Sequence, residues 1–162
     1  MSLDLTIRTD KLIRHVSTGV YIRENGETIE LKTIEDVKKY FPDKDISHIQ
    51  EQVYYDDKIW TRNITHNLTD MASQVIINNS VDLYKLLWRP KENGFEFVTN
   101  EYVDYINQAL SILKVNKTEL EIYNPKNGWG NYNCLLSFVE DLSKCLKSLD
   151  LNDSKYFIES SV

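Results

Sequence analysis

An α+β fold, mainly helical in its C-terminal part and packed with a small antiparallel N-terminal sheet, is what three observations predict. Period-2 apolar runs and the clearest hairpin signal concentrate before residue 61. Four segments with apolar residues at helical spacing occupy the last hundred residues. The chain has 162 residues, 41% of them hydrophobic and 27% charged, an ordinary globular composition for a single domain 1–162 that buries about 68–70% of its unfolded surface.

Residues 3–23 carry short alternating apolar runs. Val20-Tyr-Ile-Arg-Glu-Asn25-Gly26-Glu-Thr-Ile-Glu-Leu31 predicts a hairpin, because Asn25-Gly26 supplies the two positive-φ positions of a type I′ turn. Thr33-Ile-Glu-Asp36 resembles a capping box with Asp in place of Glu. It opens a two-turn helix with Val37 and Phe41 on the Ile34 face and Pro42 as its stop. Residues 43–51 read as loop, and Val53–Trp60 as a pair of extended segments about a turn.

At Trp60-Thr-Arg-Asn-Ile-Thr-His-Asn-Leu-Thr-Asp-Met71 the extended pattern changes to an amphipathic helix over 67–77. Asn67 is expected as its N-cap and Leu68, Met71, Ala72, Val75 and Ile76 as its buried stripe. Asn78-Asn79-Ser80 is expected to recap a helix over 81–88, ended by Pro90. Glu92-Asn93-Gly94 is a turn. Thr99 or Asn100 caps a helix over 100–114, with Tyr102, Val103, Ile106, Ala109, Leu110 and Leu113 inward. A polar knot, Tyr123-Asn-Pro-Lys-Asn-Gly-Trp-Gly-Asn-Tyr132, opens the last helix, 132–149, and Tyr156-Phe-Ile-Glu is a candidate terminal strand.

Chemistry-bearing residues gather in the two knots. Asn63, Thr65, His66, Asn67 and Asp70 crowd a helix start, where His66 reads either as a structural hydrogen-bonding histidine or as an acid or base. In the second knot Gly128 and Gly130 permit backbone angles that a Cβ forbids, so the loop has a specific shape. There Trp129 reads either as a core plug or as a presented wall. Trp60, Asn63, Asn67, Asn124, Asn127, Trp129 and Tyr132 are the candidate ligand-contacting residues, and residues 60–71 and 123–132 are expected to lie against each other, with His66 facing Asn127 or Tyr132.

Other patterns are absent from the sequence. His15, His48 and His66 have no i, i+4 pairing, and there is no Cys-x-x-Cys, no Gly-x-Ser-x-Gly elbow and no glycine-rich phosphate loop before Lys-Ser/Thr, so no metal and no cofactor is expected. The net charge of −6 is spread along the chain without a basic face, which disfavours duplex nucleic acid as a partner. No run of 18 apolar residues and no signal-like leader is seen, so a cytoplasmic protein without a membrane association is expected. Cys134 and Cys145 fall on one helix about 16 Å apart along its axis, too far to pair, and are expected as buried, reduced thiols.

Asn63-Ile-Thr-His-Asn67 leading to Met71-Ala72, Leu87-Trp88-Arg-Pro before a Glu-Asn-Gly turn, and Asn124-Pro-Lys-Asn-Gly-Trp-Gly-Asn-Tyr132 together resemble a family of uncharacterised small bacterial and bacteriophage proteins. The resemblance covers residues 54–149 and leaves the hairpin-containing region 1–53 outside it. It implies one structural unit containing both knots, and it brings no activity. Two functions follow as alternatives. One is a non-catalytic protein-interaction or accessory protein of phage or mobile-element type. The other is a small enzyme or ligand-binding domain with His66 as acid or base and the knots as walls.

Overall fold

The computed structural model describes residues 1–24 and 26–162. Strand β1 (Ser2–Ser17) is the centre of a three-stranded antiparallel sheet, flanked by β4 (Gln52–Thr65) on one edge and the terminal β5 (Tyr156–Ser161) on the other. Alternation along β1 and β4 places Leu3, Leu5, Ile7 and Ile64 in the core, as the period of 2 requires. Strands β2 (Val20–Glu24) and β3 (Glu27–Leu31) form a separate two-stranded hairpin. Gly26 has φ +79°, the left-handed value its turn needs, while Asn25 of the expected type I′ turn lies outside the described residues.

Helices cover the apolar side of the sheet. Helix α1 (Ile34–Tyr40) starts where Thr33 Oγ1 accepts from the Asp36 amide at 3.1 Å, the bond that the capping-box spacing predicts. Helices α2 (Thr69–Ser73) and α3 (Leu83–Trp88) are short, and α4 (Asn100–Val115), α5 (Lys117–Glu121) and α6 (Tyr132–Lys147) follow. Helices α4 and α6 pack on each other, burying Tyr102, Ile106, Ala109 and Leu113 with Leu135, Phe138, Val139, Leu142 and Leu146. At this seam Ser143 Oγ meets Asn107 Oδ1 at 2.7 Å, and where α4 meets α3 the Tyr102 hydroxyl donates to the Leu86 carbonyl at 3.0 Å, so these buried polar atoms are satisfied. Among the described residues no helix is long and apolar enough to cross a membrane.

The β1–β4 ribbon is strongly curved, and chain lengths show why. Between Arg8 and Ile13 in β1 the register on β4 moves only from Lys58 to Asp56, so β1 carries a large bulge, and bulges bend the strand that holds them. The hairpin is tied to both ends of this ribbon. Thr18 Oγ1, next to the Ser17–Gln52 pair, donates to the Leu31 carbonyl. At the other end a Cβ on Gly26 would lie 3.4 Å from Thr65 Cγ2. Gly26 to Leu31 spans about 17 Å, against about 43 Å for Gln52 to Thr65, at roughly 3.3 Å per residue. The ribbon is therefore an arc, and the hairpin is its chord.

Several expected local features are corrected. The segment 53–60 is not two strands about a turn: β4 runs through Asp56 and Asp57, whose carboxylates lie 2.6 Å from His15 Nε2 and from Arg8 Nη1, and the irregularities are one extra residue, Ile59, in β4 and the large bulge in β1. Asn67 is not an N-cap. Thr65 Oγ1 accepts from the Asn67 amide instead, starting a single 3₁₀ turn over His66–Leu68. The helix over 67–77 stops at Ser73, and Ile76 is exposed. Asp82, not the 78–80 cluster, caps α3 through the Lys85 amide at 2.9 Å, because Asn78 Oδ1 is already used by the Ser80 and Val81 amides. Helix α5 is not expected from periodicity; it is too short to show any.

Candidate functional site

The first knot is the end of β4 and the 3₁₀ turn after it. His66 Nδ1 accepts from the Trp88 indole N–H at 2.7 Å, with the rings 6.2 Å apart and 27° from parallel. Accepting at Nδ1 requires the neutral imidazole with its proton on Nε2. Burial holds the His66 pKa below its usual value, and the nearby amino terminus and Arg89 act in the same direction. An imidazole with a depressed folded pKa takes up its proton first in the unfolded chain. Its contribution is thus complete above the ordinary value of about 6.5 and is lost as pH falls through it toward the folded pKa. Urea midpoints measured between pH 7.5 and 5.0 should fall more steeply for the wild type than for His66→Gln; equal slopes would contradict this assignment.

The second knot, 123–132, is held by its own asparagines. Asn124 Oδ1 accepts from the Tyr132 amide at 2.7 Å, Asn127 Oδ1 from the Trp129 amide at 3.0 Å, and Asn131 Oδ1 from the Cys134 amide at 3.1 Å, capping α6. Gly128 and Gly130 have φ of +76° and +87°. A Cβ on Gly130 would sit 2.7 Å from Thr65 Cγ2 and 3.3 Å from Leu68 Cδ1, so only glycine lets the loop close on the first knot. The two knots therefore meet, as expected, and Asn67 Nδ2 adds a bond to the Trp129 carbonyl at 3.5 Å. The hairpin joins them: a Cβ on Gly26 would lie 3.3 Å from the Gly130 nitrogen.

What this junction presents differs from expectation in three ways. Trp129 is not a core plug: it is 55% exposed, with the Arg23 guanidinium 5.9 Å from its ring centre. Tyr132 is not a ligand wall but core, 3% exposed, its hydroxyl donating to the Leu113 carbonyl at 2.5 Å. His66 faces Trp88 rather than Asn127 or Tyr132. The remaining candidates are engaged within the fold, except that the buried Asn63 Oδ1 has no hydrogen-bond partner among the described residues. Trp60 donates through Nε1 to Asp141 at 2.9 Å and packs edge-on against Phe138. Asn63 donates through Nδ2 to Ser2 Oγ and Asp4 Oδ1 at 2.8 and 2.7 Å.

A second feature escapes the sequence. Between the arc of β4 and the hairpin chord lies a hollow of about 490 Å³, lined by residues 58–63 of β4, by Glu27 to Glu30 and Lys32, and by Tyr21 and Tyr54. Tyr54 stacks on His15 with ring centres 5.1 Å apart. Arg62 lines the hollow, pairing with Glu27, with Asp141 at 3.3 Å and with the Ser137 carbonyl at 3.2 Å, above the Phe138 ring. The signal lies in the disparity between a five-residue strand and a 14-residue one, which is readable only once both are known to share their ends.

Neither cysteine is in a disulfide, and both are half-buried rather than fully buried as expected. Burial raises the Cys134 thiol pKa and pushes that of Cys145 up to about 11. At pH 8 both should be mostly protonated and react slowly with a thiol reagent in the native protein; two groups titrating as fast as in denaturant would contradict this. Among the described residues no group of three His, Cys, Asp or Glu side chains is placed to hold a metal ion. In comparisons with protein-family models, curated proteins and solved structures, no match is found.

Proposed function

We propose that this chain is a non-catalytic protein-interaction or accessory module, cytoplasmic and of the phage or mobile-element type that its two motifs resemble, with Trp129 as the anchor that enters its partner. One observation carries the reading. Trp129 is more than half exposed although the loop that bears it is fixed by three asparagine bonds and by glycine contact with the first knot. A rigid loop presenting a large aromatic side chain has already met the ordering cost of binding, and tryptophans are enriched among residues that dominate interface energetics. Arg23 over the ring and the neighbouring Lys126 favour an apolar cleft with an acidic rim on the partner protein.

The rival reading, an enzyme or ligand site with His66 as acid or base, needs an open space between the knots. Close contact of Gly130 with Thr65 and Leu68, and the use of His66 Nδ1 by Trp88, weigh against it. The test begins with capture from a host lysate on wild-type chain and on Trp129→Ala, followed by titration of the purified partner against both. Binding at least 10-fold weaker to Trp129→Ala, with an unchanged melting temperature, is expected. A partner that binds both equally, or a lysate from which the two chains capture the same proteins in the same amounts, would overturn the proposal.

A further inference from the structure

The free edge of β4 faces the hollow. In an antiparallel pair, residues that exchange main-chain hydrogen bonds alternate with residues whose N–H and C=O point away from the neighbouring strand. The His66 amide donates to the Met1 carbonyl at 3.3 Å, one step beyond the Ser2–Thr65 pair. The bonded pairs are therefore Leu3–Ile64 and Leu5–Arg62, and the main-chain groups of Thr61 and Asn63 point outward. Strand β4 is the outer strand of its sheet, and β3 pairs only with β2, so among the described residues no strand meets these groups. The hollow is touched by six consecutive residues of β4, 58–63. Residues 60–63 pair with β1 in unbroken register, so their side chains alternate between the two faces; a space that touches both parities runs along the strand's edge rather than over one face.

We infer that this hollow receives an extended segment of about five residues from a partner protein, hydrogen-bonded to the main chain of Thr61 and Asn63. The inference rests on the interaction reading above for the existence of a protein partner, and it names the segment that partner offers. An extended backbone is the ligand whose donors and acceptors recur at the spacing of a strand edge, and adding a strand to an open edge is a recurrent mode of peptide recognition. The length follows from the chord, about 17 Å from Gly26 to Leu31 at roughly 3.3 Å per residue. Charge and apolar surface set the side chains. Lys32 and Lys58, and likewise Asp4 and Glu30, line the hollow without an ion-pair partner among the described residues, so a segment carrying charges of both signs is favoured. Tyr21 and Tyr54, 60% and 40% exposed, add apolar surface to the lining. The hairpin also accounts for the edge being tolerable: standing across it, the chord screens a strand edge that would otherwise invite aggregation.

Two measurements on the full chain test this. In the protein alone, hydrogen exchange should find the Thr61 and Asn63 amides fast while Arg62 and Ile64 are protected; equal protection at all four would mean that the edge is already closed and would overturn the inference. Random linear 12-residue peptides displayed on phage are then selected on the wild-type chain. Selected peptides should slow exchange at Thr61 and Asn63, should bind Thr61→Pro at least 10-fold more weakly, and should bind Thr61→Ala normally, since the main chain and not the side chain is read. Peptides that are lost on Trp129→Ala but indifferent to Thr61→Pro would leave the interaction reading standing and overturn the strand inference. A library yielding no binder would also count against it.

Discussion

Gly130→Ala should lower stability by about 3 kcal/mol, the largest effect expected of a methyl group added at any of the five glycines. Two costs add. At φ +87° a residue with a Cβ is strained by roughly 1–2 kcal/mol. The new methyl would also lie 2.7 Å from Thr65 Cγ2 and 3.3 Å from Leu68 Cδ1, and forcing extra volume into packed surroundings costs about 1–3 kcal/mol. Relief by moving the loop is blocked, because Asn124, Asn127 and Asn131 fix it to the start of α6. Gly128→Ala is the control. Its φ is +76° but nothing lies within 4 Å of the added carbon, so only the backbone cost of roughly 1–2 kcal/mol applies. Urea unfolding of the two substituted chains separates contact from strain: equal losses would mean that the knots are not packed against each other.

Arg62→Met should cost about 2–4 kcal/mol, the order expected when one partner of a substantially buried ion pair is removed. The guanidinium and the Glu27 carboxylate are 19% and 15% exposed, and the same side chain also reaches Asp141 and the Ser137 carbonyl. Hydrogen bonds to Glu27, its charge and the charge of Asp141 together raise the Arg62 pKa against the opposing effect of burial. Removal leaves the Glu27 and Asp141 carboxylates without this cation, and it unties the hairpin from α6. Adding Glu27→Gln to Arg62→Met should recover part of the loss, because one of the two uncompensated charges is then removed. A double variant no more stable than Arg62→Met would show that packing on Phe138, not charge, is what Arg62 supplies.

The parts of this fold that are legible in the sequence are those with a local cause. The hairpin ending at Leu31, the Thr33 cap, the long helices α4 and α6 with their inward stripes, and the terminal strand β5 each follow from turn chemistry or from periodicity within one segment. What is not legible depends on partners far along the chain. Thr65 displaces Asn67 as the cap because β4 runs five residues further than its local pattern indicates, and it does so because β1 supplies a pairing edge out to Ser2. Asp56 and Asp57 resemble a turn in sequence, yet His15 and Arg8 hold them in a strand. The candidate site is half legible. Glycine and asparagine spacing gives the second knot a fixed shape, and both knots start helical turns at one rim; but whether Trp129 points into the core or out of it is decided by Tyr132, which takes the buried position under Leu113 instead. The hollow needs two registers and a bulge, none of which is encoded within a single element.

The central claim is that the loop bearing Trp129 is exposed and rigid at once, because the first knot holds it. Backbone ¹⁵N relaxation of residues 127–131, recorded with nuclear Overhauser contacts between the Gly130 α-protons and the Thr65 methyl group, tests this most directly. Order parameters near 0.85, the value of rigid backbone, together with a strong Gly130–Thr65 contact, are the predicted result. Order parameters below about 0.6, the range of flexible segments, with no such contact, would contradict it.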